Sequence, residues 1–185
     1  MSRLVMKFGG TSVANLERIK RVAKRVGVEV ANGHVVIVVV SAMTGKTNEL
    51  VGWVRETSPF YDAREYDAVV SSGENVTAGL LALVLQENGI DARSWQGWQV
   101  PVRTTSVHGS ARIEEIPTDN LDARFGDGMK VAVVAGFQGV SPEGRISTLG
   151  RGGSDTTAVA FAAAFDAVRC DIYTDVDGEI GRAHV

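Results

Sequence analysis

Apolar positions along this chain follow two different periods. Within residues 15–30, Leu16, Ile19, Val22, Ala23, Val26 and Val30 recur at helical spacing, and Glu17, Arg18, Arg21, Lys24 and Arg25 lie between them. That spacing predicts an amphipathic helix, closed by Asn32-Gly33. Leu4-Val5-Met6, residues 34–41 and residues 130–134 are instead short, continuous apolar runs. A strand that is apolar on both faces belongs inside a parallel sheet covered by helices on either side. Buried strands are therefore expected at 4–8, 34–40 and 131–135, and a further strand at 169–174. Helix is expected at 49–56, ended by Thr57-Ser58-Pro59, at 75–86, stopped by Asn88-Gly89, and at 156–165, where alanine dominates. Val69-Val70 leads into Ser71-Ser72-Gly73-Glu74, which reads as a strand-to-helix loop. Residues 90–102 read as short strands, 106–128 are the least patterned, and 148–155 form a glycine-rich loop. The sum is a layered α/β domain.

Composition narrows the class. The chain has 185 residues, enough for one good-sized domain, with no repeat or low-complexity linker to divide it. Hydrophobic residues make up 44% and charged residues 22%, an ordinary globular balance that argues against disorder. A net charge of -3 and the lack of an aromatic–basic stripe speak against a nucleic-acid partner. Cys170 is the only cysteine, so no internal disulfide and no cysteine-built metal site is expected, which fits a reducing cytoplasm. Lys7 interrupts the first apolar run, too early for a signal peptide. The longest apolar run, 35–40, is far shorter than a membrane span, so no membrane association is expected.

Candidate chemistry begins at Lys7-Phe8-Gly9-Gly10-Thr11-Ser12. Two adjacent glycines allow a sharp turn and bring bare N–H groups close to a ligand. Thr11 or Ser12 can cap the following helix, which would aim its N-terminus at the same spot. With a lysine just ahead, the stretch suits a phosphate carrying developing charge; it also reads as a plain strand–turn–helix with a solvated lysine. Two other motifs fail. Gly45-Lys46-Thr47 resembles the end of a P-loop, but Val40 stands where the first glycine is required. Gly150-Arg151-Gly152-Gly153-Ser154-Asp155 resembles a dinucleotide fingerprint, but Asp155 occupies the last glycine position. His34, His108 and His184 are scattered and read as solvent-facing or packed side chains.

Several loops then share one layout, each following a strand, so that all could open on one sheet edge. They carry Lys7, Gly9 and Gly10; Ser41 and Thr47; Glu74; Gly136; Arg151, Gly152, Gly153, Ser154 and Asp155; and Thr174, Asp175 and Asp177. An arginine grips a carboxylate through its planar fork, and a glutamate holds an ammonium. The remaining lysine and glycines suit phosphate. The expectation is a small-molecule kinase acting on an amino-acid-like substrate.

Four segments resemble the aspartokinase family, in that family's order. They are Lys7-Phe8-Gly9-Gly10-Thr11-Ser12-Val13, Ser71-Ser72-Gly73-Glu74, Thr148-Leu149-Gly150-Arg151-Gly152-Gly153-Ser154-Asp155-Thr156-Thr157 and Tyr173-Thr174-Asp175-Val176-Asp177-Gly178. The resemblance implies the amino-acid-kinase fold, a three-layer αβα sandwich with a mostly parallel sheet. It implies transfer of the γ-phosphoryl of ATP, carried with Mg2+, to the side-chain carboxylate of L-aspartate, the first step toward lysine, threonine and methionine. Lys7 would stabilise the phosphoryl in flight, helped by the Gly9 and Gly10 backbone, and Asp155 would orient Lys7. Ser41 would contact phosphate. Thr47, Glu74, Arg151 and Ser154 would bind aspartate, with Glu74 on the amino group and Arg151 on a carboxylate. Thr174 and Asp175 would line the nucleotide site. No protein-bound metal site is implied.

The resemblance implies a catalytic domain over residues 1–178, incomplete at its C-terminal end, and an atypical tail over 179–185 without regulatory domains. From this follow expectations of weak ATP binding, an open sheet edge, no feedback by lysine or threonine, and association with a copy or a full-length subunit. The alternatives are a non-catalytic fragment that binds aspartate or only associates, and another amino-acid kinase such as an acetylglutamate kinase. The latter is disfavoured by the Lys-Phe-Gly-Gly-Thr-Ser start.

Overall fold

The computed structural model describes residues 2–150, 152–174 and 181–183, the last three by backbone alone. Its spine is a six-stranded sheet. In chain order the strands are β1 (Arg3–Phe8), β2 (Val35–Val40), β3 (Ala92–Trp95), β6 (Val131–Ala135), β9 (Arg169–Tyr173) and β10 (Gly181–Ala183). Across the sheet they lie in the order β10-β9-β1-β2-β6-β3. All neighbouring pairs are parallel except β10 on β9. The three apolar runs thus occupy the centre, where both faces are covered, as their lack of alternation requires. Val35–Val40 is buried along its whole length.

The pleat divides these strands between two cores. On one face Leu4, Met6, Val36, Val38, Val131 and Val133 pack against Ile19, Val22 and Val26 of α1 (Leu16–Ala31) and Leu81 and Leu85 of α4 (Ser72–Glu87). On the other, Val5, Ile37, Val39, Ala132 and Val134 meet Leu121 of α5 (Asp119–Gly126), Phe161 of α6 (Gly153–Ala164) and Phe165, which caps the end of α6. The result is the expected helix–sheet–helix sandwich. Beyond β9 the sheet continues with the antiparallel β10.

A second sheet, which the sequence pattern did not anticipate, joins β5 (Ile113–Glu115), β4 (Arg103–Thr104), β7 (Gln138–Val140) and β8 (Ile146–Thr148) in that order. Its strands have two or three residues, too few to display a period. Two helices complete the domain, α2 (Lys46–Thr57) and α3 (Ala63–Val70).

Four local expectations are corrected. Val69-Val70 ends helix α3 and is not a strand, so Glu74 lies in the first turn of α4 after a helix, not in a strand-end loop. Asn15, not Thr11 or Ser12, caps α1, accepting from the Arg18 amide at 2.9 Å. Helix α2 begins at Lys46 and α6 at Gly153, each earlier than expected. Ser154 and Asp155 are therefore first-turn helix residues. The run Ala63–Glu87 has the length and hydropathy of a membrane span. Its buried half packs within the domain, however, and it carries the buried carboxylates Asp67 and Glu74.

Candidate active site

The carboxyl ends of β1, β2 and β9 lie side by side, with Phe8 in register with Val40 and Tyr173. The Phe8 and Tyr173 rings stack at 4.5 Å, and the Gly9 amide donates to the Tyr173 carbonyl at 3.4 Å. Thr174 follows on the same edge and is exposed. Ligand loops in open parallel sheets sit at this end.

Lys7, the penultimate residue of β1, is 6% exposed. Its Nζ lies 2.6 Å from Asp155 Oδ1 in the first turn of α6. This is a charge contact rather than an aligned hydrogen bond, since Asp155 Oδ1 has no hydrogen-bond partner among the described residues. A buried ammonium needs such a counter-charge. Asp155 itself is half exposed and so open to a ligand. Close packing sets the neighbouring turn: a Cβ on Gly10 would stand 2.9 Å from the Ala42 carbonyl oxygen. A Cβ on Gly9 would sit 3.5 Å from Lys7 Nζ, beside the ammonium.

Glu74 is the second anchor. It is 3% exposed, and its Oε1 accepts from the Ala42 amide at 3.1 Å. Gly73 makes this reach possible, because a Cβ there would stand 2.8 Å from that of Ala42. Glu74 Oε2 is buried with no hydrogen-bond partner among the described residues. Burial pushes the carboxyl up to about 7, opposed in part by the Ala42 amide. A buried acid with an unused oxygen is suited to receive a cationic group.

Ser41, Thr47, Glu74 and Ser154 line one cavity of about 380 Å³. The Ser41 and Ser154 hydroxyls are 2.8 Å apart. The first turns of α2, α4 and α6 all border this cavity, through Thr47, Glu74 and Gly153-Ser154, so their positive ends favour anionic ligand groups. A larger hollow of about 730 Å³ adjoins it, sharing Leu149, Gly150 and Gly153 and reaching Asp155. The predicted Ser41, Thr47, Glu74 and Ser154 are thus brought together, and Lys7 is brought to Asp155. Arg151 and Asp175 lie outside the described residues, as does Asp177. Gly136 has a packing role, since a Cβ there would stand 3.0 Å from Ser154 Cβ and from the Val40 carbonyl oxygen.

Tyr66, Gly109 and Phe137 also line the first cavity and were missed from sequence. Tyr66 belongs to the unanticipated helix α3, and Gly109 to the region without a period. Phe137 follows Gly136 and adopts a positive φ of 68°, unusual for a side-chain-bearing residue. No periodic signal could have marked any of the three. Among the described residues, no three His, Cys, Asp or Glu side chains cluster as a metal site.

The amino acid kinase family matches residues 2–178 of the chain. The aspartokinase of Rickettsia felis is 51% identical over 96% of this chain and 45% of its own length. Aspartokinase 2 of Bacillus subtilis is 51% identical over 96% of this chain and 43% of its own length. The chain therefore spans less than half the length of these curated relatives. The crystal structure of aspartate kinase from Synechocystis superposes with a TM-score of 0.79 at 46% identity, covering 94% of this chain and 28% of that one. E. coli aspartokinase III in complex with aspartate and ADP gives 0.82 at 30% identity, covering 94% and 49%.

Proposed function

The chain belongs to the amino acid kinase family, and from that premise we propose that it carries the aspartate site and phosphoryl-transfer lysine of an aspartokinase. The reaction is transfer of the γ-phosphoryl of ATP to the side-chain carboxylate of L-aspartate, giving 4-phospho-L-aspartate and ADP. The observation that carries the reading is the buried Oε2 of Glu74, without a hydrogen-bond partner among the described residues, in a cavity lined by hydroxyls and helix N-termini, beside the Lys7–Asp155 pair.

Each group then has a role. Glu74 receives the substrate ammonium. Thr47 and Ser154 hydroxyls, with the fork of Arg151, hold its carboxylates. The attacking carboxylate is already ionised at neutral pH, so no general base is required. Catalysis rests on positioning and charge. Lys7 exchanges its contact with Asp155 for the transferring phosphoryl, with the Gly9 and Gly10 backbone and Ser41 beside it. Thr174 and Asp175 border the nucleotide. Mg2+ would be held by the nucleotide phosphates and water. The cytoplasm is the compartment where such a chain, with its single buried Cys170, would work. Association with another subunit belongs to the same proposal.

Calorimetric titration with L-aspartate is the direct test, and absence of binding overturns the reading. In the chain joined to the further length its relatives have, Lys7→Ala should lower kcat by two to three powers of ten, about 3–4 kcal/mol, and leave aspartate affinity nearly unchanged. An effect confined to KM would make Lys7 a ground-state binding group instead.

A further inference from the structure

Asp67 lies on α3, wholly buried, and no lysine or arginine bonds to it among the described residues. Burying a carboxylate is costly unless hydrogen bonds compensate. Here they do, and they come from two distant segments. The Gly109 amide donates to both carboxylate oxygens, at 3.0 and 3.1 Å. The Thr148 hydroxyl donates to Oδ1 at 2.5 Å. His108 Nδ1 lies 2.7 Å from Oδ2.

The placement of these partners matters more than their number. Gly109 lines the cavity of Thr47, Glu74 and Ser154. Thr148 directly precedes Leu149 and Gly150, which line it too, and Tyr66, next to Asp67, is a third part of the wall. One carboxylate therefore fastens three wall segments that share no continuous stretch of chain. An apolar residue of the same size would fill the space but would leave the Gly109 amide and the Thr148 hydroxyl without acceptors.

We infer that Asp67 is a positioning residue of the amino-acid pocket: it fixes the wall at Tyr66, Gly109 and Leu149-Gly150 and so sets the width available to the substrate. The inference rests on the reading of this cavity as the amino-acid site. Its own chemistry is to accept hydrogen bonds; it touches no reacting atom.

The test compares the unaltered chain with Asp67→Ala, Asp67→Asn and Thr148→Val. Calorimetry with L-aspartate and L-glutamate is combined with amide hydrogen exchange at Gly109. Asp67→Ala should weaken aspartate binding at least tenfold and shrink the preference for aspartate over glutamate at least fivefold, with faster exchange at Gly109. Asp67→Asn keeps one oxygen for Thr148 and Gly109 and should restore aspartate affinity to within about threefold. A folded Asp67→Ala that binds aspartate normally, or loses both amino acids in equal proportion, overturns the inference. If Asp67→Ala does not fold, Thr148→Val decides: about threefold weaker aspartate binding supports it, and no change overturns it. If the unaltered chain binds no aspartate, the functional reading falls separately. Gly109 exchange then judges Asp67, with at least tenfold acceleration in the folded variants supporting its role and unchanged exchange overturning it.

Discussion

Two buried carboxylates stand on either side of Ser71, and their surroundings differ. Asp67 on α3 has both oxygens engaged, by a backbone amide, a hydroxyl and an imidazole. Glu74 on α4 has one oxygen on the Ala42 amide and the other without a partner among the described residues. A buried acid whose hydrogen bonds are all made is part of the framework. A buried acid with one oxygen spare keeps a strained preference for its neutral form, which a cationic ligand can relieve. The same residue chemistry thus serves architecture at one site and recognition at the other, and the count of partners separates the two.

The largest expected effect breaks that comparison at its framework half. Asp67→Ala should lower unfolding free energy by about 3 kcal/mol or more, because several buried or half-buried donors lose their acceptor at once. Glu74→Gln at pH 8 should leave stability unchanged or raise it, since the amide oxygen still accepts from Ala42 and no charge is buried. Urea unfolding of both variants measures this. A loss at Glu74→Gln equal to that at Asp67→Ala would abolish the distinction.

A second prediction uses pH. The Glu74 carboxyl is pushed up to about 7 from an ordinary 4.5. Between those values the folded chain keeps a proton that the unfolded chain has released. The contribution of this group to stability is therefore fully present below about 4.5 and is lost as pH rises through 7, in total about 3 kcal/mol. Glu74→Gln should flatten that part of the stability profile. If aspartate places its ammonium on Glu74, binding at pH 6 also releases a proton, and affinity rises with pH until about 7. Calorimetry in buffers of different ionisation enthalpy counts the proton. A proton count of zero at pH 6 would separate Glu74 from the ammonium.

These two acids also mark how far the chain could be read without coordinates. The central strands were legible because long β-branched runs such as Val35–Val40 have one stable environment, between two helix layers. Glu74 and Ser154 were legible as chemistry because glycine and small polar residues crowd around them. Their local structure was not, since Ser71-Ser72-Gly73 looks like a loop when the chain turns directly from one helix into the next. Asp67 was invisible as a special residue. Its partners, His108, Gly109 and Thr148, come from segments far along the chain, and in sequence Asp67 is simply one acid in a stretch whose helix was not anticipated. The second sheet escaped for a similar reason: its short strands are held by buried long-range contacts, such as Thr104 to Ser147 at 2.6 Å and Gln138 to the Ser71 carbonyl at 3.0 Å.

The smallest effects compare two glycines of the one helix α4. Gly73 sits at the Glu74 end, where an added methyl would meet Ala42 Cβ at 2.8 Å and Leu50 Cδ1 at 3.4 Å. Neither the Ala42 loop nor the start of α4 can yield without stretching the Ala42–Glu74 bond of 3.1 Å. Gly73→Ala should therefore cost about 1–3 kcal/mol and weaken aspartate binding along with it. Gly79 lies in the interior of the same helix with nothing within 4 Å of an added Cβ. There the methyl only removes backbone freedom from the unfolded chain, so Gly79→Ala should raise stability by about 0.5–1 kcal/mol and leave aspartate binding alone. Thermal unfolding with and without aspartate reads both quantities together. Helix propensity favours alanine most at mid-helix Gly79 and less in the first turn at Gly73, so a loss at Gly73→Ala beside a gain at Gly79→Ala points to the contact of α4 with Ala42. If both substitutions stabilise, that contact is slack, and the placement of Glu74 must come from elsewhere in the wall.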